Sequence, residues 1–294
     1  MMKFIRFVGL TGLLAWGMAS SQAAVELPLT IERGAAGDLA ISGAWASIPA
    51  GETRYVSREA LANLPGVKTV TDRIWPTAKA VEMTILPLTE LWAALEPEAG
   101  TDGIVLKCGD RWESWMPQEL LVGKGPYLIL YYEGRAPEDE GGWPTFLGIE
   151  PMAPYYAFVS PTEHPAFVDL TPHGMISATQ IVEISAANEA SRYAPFYAGK
   201  LAELSGPAAV GRDLFLMRCN NCHQGVGDVG GNVSQRPFIL LQTHATLNAD
   251  YFVKMVTDPK QFYPETIMPR HPDFKPVDFE ALIAFMAATK AAQE

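Results

Sequence analysis

The sequence predicts an α+β region of short strands and small helices followed by an all-α region. Up to about residue 187, short β-branched and aromatic runs alternate with turn clusters and brief helical patterns. After residue 205 the runs give way to two amphipathic helical patterns that frame the stretch Cys219-Asn220-Asn221-Cys222-His223. Charge divides at the same place. Residues 24–205 hold 12 Lys and Arg against 24 Asp and Glu, a net of −12, whereas residues 206–294 hold 8 against 9, a net of −1. The two parts therefore present different surfaces to partners.

A chain of 294 residues has room for two domains. With 48% hydrophobic and 19% charged residues it has the composition of a globular protein. A formal net charge of −11 with no basic cluster argues against nucleic acid as a partner. At the start, Lys3 and Arg6 flank an apolar run from Phe7 to Met18, and Ser21-Gln22-Ala23 fits a small-x-small cleavage site. Residues 1–23 thus read as a signal peptide and predict export, to the periplasm of a bacterium. The apolar run is too short to span a bilayer comfortably, so membrane attachment is expected only if the segment stays uncleaved.

Residues 24–187 form the predicted first domain. Val25, Leu27, Leu29 and Ile31 alternate with polar residues and Pro28, as in an edge strand. Ser57 is the N-cap expected for a short helix that stops before Pro65-Gly66. Val67 to Asp72 and Val81 to Ile85 read as strands. Leu88, Leu91, Trp92 and Leu95 fall at i, i+3, i+4 and i+7, the clearest helix of the region, closed by Pro97. Ile104 to Lys107 follows as a strand, Met116 to Leu121 as a helical turn, and Tyr127 to Tyr132 as a buried strand. Tyr155 to Val159 and Thr179 to Ile184 are the last strands. The tryptophans are expected mostly in the core. Trp112 and Trp115, next to Asp110 and Glu113, read as core or rim packing, with a docking surface as the other reading.

The order of these blocks carries a resemblance over roughly residues 30–186. Ile85-Leu-Pro-Leu-Thr-Glu-Leu-Trp-Ala-Ala-Leu95, Asp102-Gly-Ile-Val-Leu-Lys-Cys-Gly-Asp110, the strand ending Tyr132-Glu-Gly-Arg135 and Ile181-Val-Glu-Ile184 together resemble the molybdopterin-binding domain of the sulfite oxidase family. Members that bind molybdenum supply a cysteine thiolate from before the helix matching Leu88–Leu95. Here Val67 to Ile85 holds no cysteine, and Cys108 falls in the next strand, where a free cysteine reads as a small buried hydrophobe. Arg54, Arg58, Arg73 and Arg111 are scattered rather than clustered for an anionic substrate. The resemblance implies a fold, and the departure argues against a molybdopterin cofactor.

Residues 188–207 read as a linker and residues 208–294 as a second domain. Cys219-x-x-Cys222-His223 is the attachment signature of a c-type haem. Two thiols three positions apart can add to the two vinyl groups of one haem, and the adjacent imidazole can ligate its iron. A redox disulfide or half a zinc site are the other readings of C-x-x-C. Zinc needs further thiol or imidazole ligands, and the remaining cysteine, Cys108, lies more than a hundred residues upstream. Ala208 to Arg218 reads as a helix in which Gly211 and Phe215 share a face, the glycine admitting a second helix closely. Asp278 to Ala288 is that helix, with Leu282, Phe285 and Met286 on one face and Asp278 as N-cap. Between them Thr266-Ile-Met-Pro269 sets Met268 46 residues beyond Cys222.

These parts resemble a class I cytochrome c. The resemblance implies one covalent haem c held by Cys219 and Cys222, with His223 and Met268 as axial iron ligands. Met with His is the usual pair in cytochromes c; His271, three residues beyond Met268, is the bis-His alternative. Met255 reads as core and His244 as a loop histidine facing solvent.

The expectation is an exported electron carrier rather than a catalyst. One haem c passes single electrons between redox proteins, and the acidic first domain, without a cofactor, serves as a docking module for a partner with a basic surface. The alternative is a molybdenum–haem oxidoreductase of the sulfite oxidase type that passes electrons to its own haem c. A haem sensor or peroxidase is a third class and requires an open iron site.

Overall fold

The computed structural model describes residues 27–74, 79–146, 150–164, 178–271 and 273–293. The predicted signal segment and Trp75 lie outside them. In chain order the strands are β1 (Leu39–Gly43), β2 (Thr53–Val56), β3 (Lys68–Arg73), β4 (Ala80–Pro87), β5 (Gly103–Cys108), β6 (Glu113–Pro117), β7 (Tyr127–Tyr132), β8 (Thr145–Phe146), β9 (Glu150–Pro151), β10 (Tyr156–Phe158) and β11 (Ile181–Ala187). The α-helices are α1 (Arg58–Ala62), α2 (Leu88–Leu95), α3 (Gln118–Lys124), α4 (Glu189–Arg192), α5 (Gly206–Arg218), α6 (Phe238–Leu247), α7 (Ala249–Thr257) and α8 (Pro276–Gln293).

Two sheets carry the strands. One has five, in the order β2-β1-β11-β5-β6, and the other four, in the order β10-β7-β4-β3; β8 and β9 make a separate two-stranded ribbon. The pairs in the larger sheet are antiparallel except β1 with β11, which run parallel, Ala40 opposite Glu183 and Gly43 opposite Ala186. Leu39, Ile41, Leu106 and Ile184 from the five-stranded sheet and Leu86, Leu128 and Leu130 from the other meet in one core, closed by Leu88, Leu91 and Leu95 of α2. Burying each such leucine contributes roughly 1.5–3 kcal/mol.

Strand periodicity gives the five-stranded sheet a second buried face. Side chains alternate across a strand. In β5, Ile104, Leu106 and Cys108 enter the core between the sheets, while Val105 points the other way. In β6, Met116 faces the sheet core and Trp115 faces away. Val105 and Trp115 belong to the same apolar cluster as Phe196, Phe215, Phe238, Phe252, Phe285 and Met286. This corrects the expected layout of an α+β domain followed by an all-α one. The chain is a mixed α/β structure with a parallel pair inside its larger sheet. Its C-terminal part is helical, yet the core of that part runs into β5 and β6. A sheet with apolar side chains on both faces has to be covered on both.

Local differences have local causes. Where an edge strand is expected, the described residues show one bridge, Thr30 with Tyr55, joined by two hydrogen bonds of 2.9 Å; Pro28 has no N–H to extend it. Met116 and Pro117 end β6, and α3 begins after Pro117, whose ψ of 153° is extended. Ser57 does cap α1, its hydroxyl accepting from Ala60 N at 3.2 Å. Residues 189–203, within the expected linker, fold into α4 and two 3-10 turns, Ala194–Tyr197 and Gly199–Glu203. Phe196 in the first turn is fully buried, 6.0 Å from the Phe215 ring and 6.3 Å from that of Phe285. Helix α8 starts earlier than expected, at Pro276; Asp278 lies in its first turn and accepts from Lys275 N at 2.8 Å.

Candidate functional site

Helix α5 delivers the Cys219–His223 segment. It ends at Arg218, and the amides of Cys219 and Asn220 both donate to Phe215 O at 2.9 Å. The amides of Cys222 and His223 return to Cys219 O at 3.1 and 2.9 Å, so the five residues form a compact turn. Asn220 closes it, its side-chain amide donating to His223 O at 3.1 Å and Val229 O at 2.8 Å. Helices α5 and α8 hold this turn from behind by crossing at Gly211, where a Cβ would lie 1.9 Å from Ala281 O.

Cys219, Cys222, His223 and Met268 all line one cavity of about 380 Å³. Its remaining wall is mostly apolar, with Phe215, Leu240, Phe252, Met255, Leu282 and Met286 among the lining. Met268 lies beyond α7, in the segment running from the 3-10 turn Pro259–Gln261 to α8. Its amide donates to Thr266 Oγ1 at 3.1 Å.

The chemistry of each donor follows from its surroundings. His223 Nδ1 is 2.9 Å from Ser234 Oγ, which leaves Nε2 as the ring nitrogen for a ligand. Burial, and then the charge of Arg236, pushes His223 down to about 4, so the imidazole is neutral at pH 7. Burial pushes the Cys219 thiol up to about 12, against the pull of Arg218. A redox-active C-x-x-C pair works through a thiolate of lowered pKa, and the shift at Cys219 runs the other way. Neither Cys219 nor Cys222 is part of a disulfide.

The alternative ligands are placed as well. His271 is buried, lines the same cavity, and its Nδ1 is 3.4 Å from the Arg218 guanidinium while its ring packs on Phe274 at 4.9 Å. Met255 lies on α7 in the cavity wall. His244 is on α6 rather than in a loop, half-buried against Tyr251 with ring centroids 5.1 Å apart. Among the described residues no cluster of three or more His, Cys, Asp and Glu could hold a bare metal ion.

Sequence reasoning missed two contributors. Trp112, immediately before β6, lines the same cavity as the two thiols. Arg236 also lines it, its guanidinium 5.0 Å over the Tyr263 ring. Trp112 reads from sequence as core or rim packing, with a docking surface as the other reading, and nothing local points it at residues a hundred positions away. Cys108 is elsewhere, in the core between the sheets; burial, then Asp110 and Glu113, raises its pKa well above that of an ordinary thiol. A scan against protein-family models finds no match for the chain, and a search of curated proteins finds none.

Proposed function

We propose that this protein is an exported c-type cytochrome that carries one covalent haem and passes single electrons between redox proteins. The observation that carries the reading is the convergence of Cys219, Cys222, His223 and Met268 on a single apolar cavity. The residues present fit the group. Two thiols stand three positions apart for two thioether links, and a neutral imidazole offers Nε2 because Ser234 holds Nδ1. Met268 offers a thioether sulfur, and the apolar wall suits a flat hydrophobic ring. Such a site asks the chain for only one imidazole and one thioether at the metal, not for a cluster of His, Cys, Asp and Glu. When bound, the haem supplies one-electron chemistry, and Met/His ligation favours a raised reduction potential.

The chain's own residues do the rest. Ser234 fixes the orientation of His223, and Phe215, Phe252, Leu282 and Met286 keep water from the ring. The acidic sheet region serves as a scaffold and docking surface without a metal of its own. Cys108 lies buried in the core between the sheets, which favours that over the molybdenum–haem reading. The apolar run before Ser21-Gln22-Ala23 supports export to the periplasm.

The test is covalent attachment. Haem staining after denaturing electrophoresis should mark the wild-type chain, and Cys219→Ala or Cys222→Ala should remove most of the signal. Undiminished staining in both variants would sink the assignment.

A further inference from the structure

The tip of the β5–β6 hairpin is joined to the Cys219–His223 loop backbone to backbone. Glu113 N donates to Asn221 O at 3.2 Å, and Asn232 N donates to Arg111 O at 2.9 Å. Gly231 lies in the same crossing. A Cβ there would sit 1.7 Å from Asn221 O and 3.0 Å from Arg111 O, so only glycine lets the three chain segments meet. An ion pair of 2.5 Å between Arg192 and Glu113 adds a fourth segment, α4.

The hairpin turn is itself held in one shape. Arg111 has φ 74°, a conformation rare for a residue with a side chain. Cys108 N donates to Trp112 O at 2.9 Å, Arg111 N to Cys108 O at 3.0 Å, and Trp112 N to Asp110 Oδ1 at 2.9 Å. Trp112, carried on this turn, packs against the sheet core and also lines the cavity beside Cys219, Cys222 and His223.

We infer that Trp112 is a wall of the haem pocket: the sheet region supplies, through this indole, a fixed surface that keeps water from the haem and holds its reduction potential up. The inference rests on the haem reading above. Oxidised haem iron carries one more positive charge than reduced iron, and water stabilises the more charged form. The apolar shell around a metal controls solvent access, and through it the potential. A wall pinned by main-chain hydrogen bonds to the attachment loop does this without relying on a mobile side chain. It also makes the sheet region part of the redox site rather than an appendage.

The full-length chain tests this with Trp112→Ala and Trp112→Phe, each measured for haem per chain, midpoint potential and the far-red iron–thioether absorption that the cytochrome resemblance implies. Both variants should keep haem and the far-red band. The alanine variant should titrate at a lower potential, and phenylalanine, which rebuilds most of the wall, should restore it nearly to the wild-type value. If the alanine variant does not fold, Trp112→Leu replaces it and should fall between wild type and what full exposure gives. A wild-type chain without covalent haem would overturn the haem reading and this inference with it. Wild-type haem with an unchanged potential in the small-residue variant would overturn the wall alone. So would a phenylalanine variant as low as alanine, or loss of the far-red band, which would mean the residue acts by holding Met268.

Discussion

Gly211 of α5 and Ala281 of α8 meet main chain to main chain: a Cβ on Gly211 would lie 1.9 Å from the Ala281 carbonyl oxygen. Alanine at this position would gain roughly 1 kcal/mol of helix propensity over glycine. It would also have to push α8 away, and overpacking a close contact costs about 1–3 kcal/mol. With a backbone carbonyl as the obstacle, the cost should win. Gly211→Ala is expected to lower the midpoint of denaturant unfolding; a more stable variant would contradict the contact.

Phe196 stands outside the helices that frame the haem motif, yet it is fully buried among Phe215 and Phe285. Phe196→Ala should cost about 3–5 kcal/mol, the range for deleting a buried phenylalanine. A fragment of residues 189–294 should accordingly unfold at a higher temperature than one of residues 206–294, which lacks Phe196 and the buried Leu201. Equal melting curves would mean that the 3-10 turns add nothing to the helical part.

Met268 and His271 line the same cavity three residues apart. Met268→Ala should leave the haem covalently bound, remove the far-red iron–thioether absorption, and lower the potential. His271→Ala should keep that absorption, because His271 packs on Phe274 and meets Arg218. The reverse pattern would transfer the axial role to His271.

Thiol counting offers an independent check. The chain has three cysteines, and two of them should be consumed as thioethers. Cys108 is 7% exposed and its pKa is raised by burial and by Asp110 and Glu113. The holoprotein should therefore react with no thiol reagent when native and with one equivalent in denaturant. Three equivalents after unfolding would show that no thioether had formed.

Charge steering supplies the last expectation. The sheet region carries a net of −12 over residues 24–205 against −1 over residues 206–294. Encounters of redox proteins are weak and steered by charge. Electron transfer to a basic partner should slow as ionic strength rises from about 0.01 to 0.1 M, as the Debye length shrinks from roughly 30 to 10 Å. In the full-length chain, changing the exposed Glu59, Glu82, Glu119 and Glu140 to Gln should weaken that dependence in stopped-flow measurements. Equal salt slopes would remove the docking role from the sheet region.

Much of this protein can be read from local pattern. Tyr127 to Tyr132 is a strand over the whole apolar run, and α2 spans Leu88–Leu95, the residues whose spacing predicts it. The four candidate haem residues announce themselves by type and order, and they meet in one cavity. Pairing across the chain was not legible. Strand β1 has few β-branched residues, and its partner β11 lies some 140 positions away, as Ala40 opposite Glu183 shows. The two-faced burial of β5 looks like any alternating strand until both neighbours are known, which is why the layout was expected as two independent parts. Trp112 is a case of the same kind, since its turn depends on Arg111 adopting a positive φ that its residue type does not advertise.

The place of β11 has a consequence for how the chain acquires its shape. In the larger sheet β11 sits between β1 and β5, so the hairpin of β1 and β2 has no edge to join until residues 181–187 have emerged from synthesis or translocation. The helical core must wait longer still, because α5 packs on α8, which begins only at Pro276. Contacts this distant in sequence slow folding, since loop closure has to precede the gain from pairing. Under the export proposed above, this ordering would be an advantage. The leading segments could not then lock into their final sheet while the remainder was still crossing, and on the proposed haem reading the Cys219–His223 loop would stay open to attachment until the β5–β6 hairpin closed over it.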